Sequence, residues 1–161
     1  MNAAKILPVE ELGVRLDADP PLREGLVLAN GIFDLLHVGH VRYLEGARAA
    51  GRRLLVALNS DGSARRLKGE GRPFVPLAER MEMVAAFACV DWVTWFDEDR
   101  VDGILRRVRP ALHAKGTDYT VEGVPERAVA RELGVRTVIV GDPKGHATSD
   151  LLERIRGGGR P

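Results

Sequence analysis

The stretch GIFDLLHVGH, residues 31–40, follows the apolar run LVLAN and precedes VRYLEGARAAG. LVLAN (26–30) reads as a short buried strand. VRYLEGARAAG (41–51) reads as a helix with Val41, Leu44 and Ala47 on one face, ended by Gly51. His37 and His40 therefore straddle the opening of a helix that leaves a strand end. Residues three apart share a helix face, so two ring nitrogens can converge on one anion. Gly39 removes a side chain where a phosphate would approach backbone. The helix N-terminus adds unpaired N–H groups and the positive end of a dipole. Strand, Gly-containing turn and paired imidazoles together describe a phosphate site. Zinc is the competing reading, but no further His, Cys or Asp set stands at a local metal spacing.

Working outward, strand and helix signals alternate. LLVALN (54–59), DWVTWF (91–96), ALHAK (111–115) and RTVIVG (136–141) read as further strands. LAERMEMVAAFA (77–88), DEDRVDGILRRVR (97–109), VPERAVARELG (124–134) and TSDLLERIR (148–156) read as helices. The stretch SDGSARRLKGEGRPFVP (60–76) is polar, Gly-rich and Pro-bounded, and reads as a long loop. Strands alternating with helices imply right-handed crossovers and a parallel sheet. Continuous apolar runs such as LLVAL fit a sheet covered on both faces. The expected fold is thus α/β, a Rossmann-like three-layer sandwich around a five-stranded parallel sheet. Residues 1–24, with a short helix at VEELGV and a DADPP break, read as an N-terminal extension. Residues 25–157 read as the domain and 158–161 as a flexible tail. In such sheets ligands sit beyond the carboxyl ends of the strands, where the strand order reverses.

Composition narrows the function classes. The chain has 161 residues, a net charge of +1 and 45% hydrophobic residues, which suits one globular domain. No global field points to nucleic acid or an anionic membrane. The longest apolar run, VAAFACV (84–90), is too short to span a bilayer. A single cysteine, Cys89, excludes an internal disulfide framework and fits a reducing cytoplasm. The N-terminal stretch MNAAKILPVEELG lacks a signal peptide's long apolar centre. Only four of the 24 basic residues are lysines: Lys5, Lys68, Lys115 and Lys144. The last three follow strands in or near Gly-containing loops, where a compact ammonium can do what a planar guanidinium cannot.

GIFDLLHVGH resembles the GxFDxxHxGH signature (the HxGH motif) of the cytidylyltransferase-like nucleotidyltransferases. Further segments resemble the adenylyltransferase domain of the ADP-heptose synthases. They are NSDGSARRLKGEGRP with PLAERM, VDWVTWFDED, and AKGTDY. GHATSDLLERI resembles the closing nucleotide motif ISTTxI or ISTSxI, with His146 and Ala147 in place of its Ile and first Ser. The resemblance spans about residues 26 to 156. It implies transfer of a nucleoside monophosphate from a triphosphate to a phosphorylated acceptor, with release of pyrophosphate. The chemistry agrees: the nucleophile is already an anionic phosphate oxygen, so charge neutralisation matters more than a general base.

On that resemblance His37, His40 and Lys68 are the expected catalytic residues. Gly31, Ile32, Phe33, Gly39, Lys144, Gly145, Thr148 and Ser149 join them around the nucleotide. Asp34, Arg80, Lys115 and Asp118 are the acceptor candidates. Asp34 equally suits orienting a histidine, binding Mg²⁺ indirectly or capping the turn. Thr148 and Ser149 equally suit ordinary N-capping. His113, Cys89, Trp92 and Trp95 read as structural. Cytidylyltransferases of glycerol 3-phosphate usually show Arg-Tyr-Val-Asp before the third strand. Here Ala88, Cys89, Val90 and Asp91 stand instead. ATP with a sugar 1-phosphate, a heptose 1-phosphate or similar, is therefore expected over CTP. An FMN adenylyltransferase and a non-enzymatic nucleotide sensor are the other readings. Bifunctional ADP-heptose synthases also carry a sugar kinase, for which 161 residues leave no room. The resemblance further implies Mg²⁺ arriving with ATP, a homodimer, and no nucleic-acid or membrane partner.

Overall fold

A computed structural model describes residues 2–142 together with 152, 153, 155 and 156. The chain opens with a 3₁₀ turn and then α1 (Val9–Ala18), followed by β1 (Leu26–Gly31) and α2 (Val38–Ala49). Next come β2 (Arg53–Asn59), α3 (Asp61–Lys68), α4 (Leu77–Ala85) and β3 (Trp92–Phe96). The series ends with α5 (Asp102–Val108), β4 (Leu112–Gly116), α6 (Arg127–Glu132) and β5 (Arg136–Val140). All five strands pair in parallel in the order β3-β2-β1-β4-β5. This is the expected α/β architecture, and the order reverses between β1 and β4.

The period-2 alternation of the strands builds two cores. Leu26 and Leu28 of β1 and Leu55 and Ala57 of β2 face one side, against Leu12, Leu16, Leu105 and Val108. Val27 and Ala29, with Leu54, Val56 and Leu58, face the other side, against Leu44 and Val84. Each such leucine or valine contributes roughly 1.5–3 kcal/mol by leaving water. Both faces are covered, which is why the strands read as unbroken apolar runs.

Residues 1–24, read from sequence as an extension, are packed into the domain where they are described. Leu12 and Leu16 of α1 are wholly buried, and Ile6 bridges to Val93 beside the β3 edge. Arg107 of α5 pairs with Glu10 and Asp17. Its guanidinium lies where a Cβ on Gly13 would stand, 2.0 Å from Cζ, so any side chain there would push the arginine off both ion pairs.

The expected loop 60–76 is half helix. Ser60 caps α3 by accepting from the Ser63 N–H at 3.0 Å, and Arg65, Arg66 and Lys68 fill the last turn. Gly69, at φ +92°, stops the helix. The helix expected from residue 97 begins at Asp102, because Asp97 and Asp99 are engaged by Ser60 and Arg66. That from 124 begins at Arg127. The helix expected over 148–156 lies largely outside the described residues. No helix among those described is long and apolar enough to cross a membrane.

Candidate active site

A cleft of about 850 Å³ opens at the carboxyl ends of the strands, around the β1/β4 switch point. That volume is in the range of ligand sites. Gly31, Ile32, Phe33, Asp34, His37, Gly39 and His40 line it from the β1–α2 turn. Lys68 lines it from the end of α3, and Lys115 and Asp118 from the end of β4. Ten residues singled out from sequence thus meet on one cavity. Lys144, Gly145, Thr148 and Ser149 lie outside the described residues.

Arg80 is the exception. It is fully buried and does not line the cleft. Its guanidinium donates to the Val75, Ile32 and Asn59 carbonyls at 2.9, 2.5 and 2.9 Å and to Asp61 Oδ1 at 2.7 Å. Those bonds tie the turns after β1 and β2 to the start of α4. An arginine so engaged has no donor fork left for an acceptor substrate, which replaces the sequence expectation with a positioning role.

The histidines open α2 by capping it. His37 is the N-cap residue, and its Nδ1 accepts from the Gly39 N–H at 3.1 Å. His40 reaches back, its Nδ1 facing the His37 N–H at 3.3 Å. The pair forms a reciprocal capping box in imidazoles rather than the usual hydroxyl and carboxylate. The consequence for the chemistry is direct. A neutral ring whose Nδ1 accepts must carry its proton on Nε2. Both rings therefore hold an Nε2–H donor, their centroids 4.0 Å apart. The His40 ring also packs on Phe33, centroid to centroid 5.3 Å, and Phe33 in turn stacks on Tyr43. Burial, and second the neighbouring His37, push the His40 pKa down to about 4. His40 is thus a neutral donor at physiological pH.

Phe33 takes a left-handed φ of +52°, a costly conformation for an aromatic residue and one that gathers at functional sites. Asp34, just beyond, is 6% exposed and fully engaged. Its carboxylate accepts from the Phe74 and Val75 N–H groups at 2.8 and 3.0 Å and from Arg72 Nη1 at 2.8 Å. Of its readings from sequence, the structure favours fastening a turn, that at 72–75, onto the cleft rim. Lys68 stands at the same rim, exposed, with no ion-pair partner among the described residues.

At the end of β4, Lys115 faces Glu126, both almost wholly buried, and Tyr43 donates to the Ala114 carbonyl at 2.9 Å. Burial raises the Tyr43 hydroxyl far above its ordinary pKa, so it stays a donor. His113, on the same strand, is buried and bonded to Asn30 at 3.0 Å. Burial, and then Lys115, hold its pKa down to about 3. Asn30, Tyr43, Arg100 and Glu126 line the cleft and were not singled out from sequence. Asn30 had a signal, a polar residue closing an apolar strand. Glu126 had none, being one of several charges in VPERAVARELG. Among the described residues no group of three His, Cys, Asp or Glu side chains could hold a metal ion.

Comparison with known proteins settles the kinship. The profile of the family described as cytidylyltransferase-like matches residues 28–151, from β1 past the end of β5. The chain belongs to the cytidylyltransferase-like family. It is a nucleotidyltransferase of that family, as the GIFDLLHVGH resemblance implied. It is 43% identical over 152 residues to the bifunctional protein HldE of Geobacter sulfurreducens, covering 94% of this chain and 31% of that one. Against HldE of Geotalea uraniireducens the identity is 44% over 155 residues, covering 96% and 32%. This cytidylyltransferase-like chain thus spans about a third of the length of the curated relatives it matches. Among solved structures it is similar to a lipopolysaccharide core biosynthesis protein from Thermoplasma volcanium. The TM-score is 0.64 at 23% identity, covering 75% of this chain and 99% of that one. Pantothenate synthetase from Thermus thermophilus matches with TM-score 0.61 at 18% identity, over 88% and 63%. At those identities the structures share the fold.

Proposed function

We propose that this nucleotidyltransferase transfers AMP from ATP to a sugar 1-phosphate, a heptose 1-phosphate or close analogue, and releases pyrophosphate. The observation that carries the reading is the pair of Nε2–H donors fixed at the opening of α2. An acceptor phosphate oxygen attacks the α-phosphorus, and the bond from that phosphorus to the bridging oxygen of the β-phosphate breaks. Negative charge grows on the non-bridging α-oxygens and on the departing pyrophosphate. His37 and His40 donate to the former, held by their caps and so needing no reorganisation. Lys68, on the rim, takes the outer phosphates as a mobile point charge. The α2 N-terminus adds its dipole. Mg²⁺ arriving with ATP would be held chiefly by the triphosphate and would supply neutralising charge there.

ATP is favoured over CTP by the segments resembling ADP-heptose synthases and by Ala88–Asp91 standing where glycerol 3-phosphate enzymes place Arg-Tyr-Val-Asp. The similarity to HldE chains points the same way. The test crosses ATP, CTP, GTP and UTP with heptose 1-phosphate, glycerol 3-phosphate and FMN, and reads pyrophosphate formation. The reading expects ATP with the sugar 1-phosphate to lead. CTP leading with glycerol 3-phosphate would replace it, and nucleotide binding with no turnover would make the chain a sensor.

A further inference from the structure

Where the ends of β1 and β4 line the cleft, charged and polar groups satisfy one another only in part. Lys115 is 6% exposed and Glu126 3%. The Lys115 ammonium stands 3.4 Å from Glu126 Oε2, an ion pair, yet Oε2 receives no hydrogen bond. The ammonium's one hydrogen bond among the described residues runs to Asn30 Oδ1 at the long limit of 3.5 Å. Its remaining contact is the face of the Tyr119 ring, 4.7 Å away. Asn30 Oδ1 also takes His113 Nε2, at 3.0 Å. An amide oxygen can only accept, so His113 carries its proton on Nε2, and the Asn30 oxygen is committed inward. The two Asn30 Nδ2 hydrogens have no acceptor among the described residues. Buried polar groups are almost always bonded, and a cluster of shortfalls on a cleft wall marks where ligand atoms complete the set.

The shortfalls specify the ligand. Lys115 and Asn30 have N–H groups to spare, whereas Glu126 Oε2 lacks a hydrogen-bond donor. The charges of the ion pair cancel, so a bare phosphate gains little here and meets the Glu126 carboxylate. A hydroxyl both donates and accepts. Two neighbouring hydroxyls can donate to Glu126 while accepting from Lys115 and Asn30.

We propose that Lys115, Glu126 and Asn30 form a subsite for a vicinal diol of one of the cleft's two substrates. Tyr119, 39% exposed, packs its ring against the ammonium at the edge of this subsite. The proposal rests on the reading that the cleft takes a nucleotide and a sugar phosphate, both of which carry such a diol.

The test is a cycle of ligand and side-chain changes read by equilibrium binding, without turnover. Wild type and Glu126→Gln, which keeps the side-chain shape, are titrated with ATP and with 2′,3′-dideoxy-ATP. They are also titrated with a sugar 1-phosphate and its 2-deoxy form. Wild type should prefer the hydroxylated member of one pair by about ten- to a hundredfold, as a hydrogen bond to a charged group provides. Glu126→Gln should lose most of that preference while binding the deoxy ligand nearly as well as wild type. Loss confined to the nucleotide pair assigns the ribose; loss confined to the sugar pair assigns the acceptor. Equal weakening of both members of each pair, or no preference in wild type, overturns the subsite. If only the nucleotide pair binds and the sugar phosphate does not, the reading of the acceptor fails while the subsite is still judged on the ribose.

Discussion

Replacing His37 with asparagine separates the two duties that this imidazole performs. Nδ1 accepts from the Gly39 N–H and caps α2, while Nε2–H supplies a donor. An asparagine oxygen can take over the cap, which is worth about 1 kcal/mol to the helix. It cannot place a hydrogen where the far side of the ring stands. His37→Asn should therefore lower kcat by about 10²–10³, or roughly 3–4 kcal/mol of barrier, the usual cost of one lost oxyanion donor. Its melting temperature should stay near wild type. His37→Ala removes both duties and should melt about 2–4 °C lower as well, as expected when about 1 kcal/mol is lost from a chain of this size. The assay is pyrophosphate release at saturating ATP and sugar 1-phosphate, beside thermal unfolding followed by circular dichroism. An asparagine variant active within about threefold of wild type would refute the donor role and leave the ring a helix cap alone.

Acid should unfold the protein through its histidines. His40 and His113 have native pKa values pushed down to about 4 and about 3, against 6.5 when unfolded. Above pH 6.5 both states hold neutral rings and stability is flat. Below it the unfolded chain binds protons that the native rings refuse, so stability falls until the native values are reached. A tenfold difference in proton affinity between the two states is worth about 1.4 kcal/mol, so His40 alone accounts for roughly 3 kcal/mol. His113→Gln should flatten the fall of the urea midpoint between pH 6.5 and 4 relative to wild type; an unchanged slope contradicts the assignment. Arg80→Ala should cost about 3–5 kcal/mol in urea unfolding, since its removal leaves three carbonyls and Asp61 without their buried donor, and a loss under about 1 kcal/mol would deny the positioning role. Lys68→Ala should raise the Kd for ATP several-fold with the melting temperature unchanged. An unchanged Kd would remove Lys68 from the nucleotide site.

The β1–α2 unit was legible because its signal is local. An apolar run, a glycine-bearing turn and two histidines at helical spacing fall within fifteen residues in LVLANGIFDLLHVGH. Lys68 and Lys115 were legible for a similar reason, each ending an element beside glycine. Arg80 was misread because an arginine on a helix gives no sign of facing inward; its acceptors are the nearby Val75 carbonyl and the Ile32 and Asn59 carbonyls from distant turns. Residues 61–68 looked like loop because glycine and polar residues masked a helix with a Ser60 cap and a basic last turn. The packing of α1 against α5 was hidden in the same way. VEELGV reads as a helix, but nothing in it shows that Gly13 leaves room for the Arg107 guanidinium. Glu126 could not have been found, since its meaning comes from Lys115, eleven residues away and across the sheet edge.

The central claim is that two imidazoles, each capping α2 through Nδ1, grip the phosphorus that changes hands. A crystal structure with α,β-methylene-ATP tests it most directly. The account predicts Nε2 of both His37 and His40 within about 3.2 Å of α-phosphate oxygens, with both Nδ1 atoms still capping α2. A triphosphate seated elsewhere in the cleft, with either ring turned to water, would contradict it.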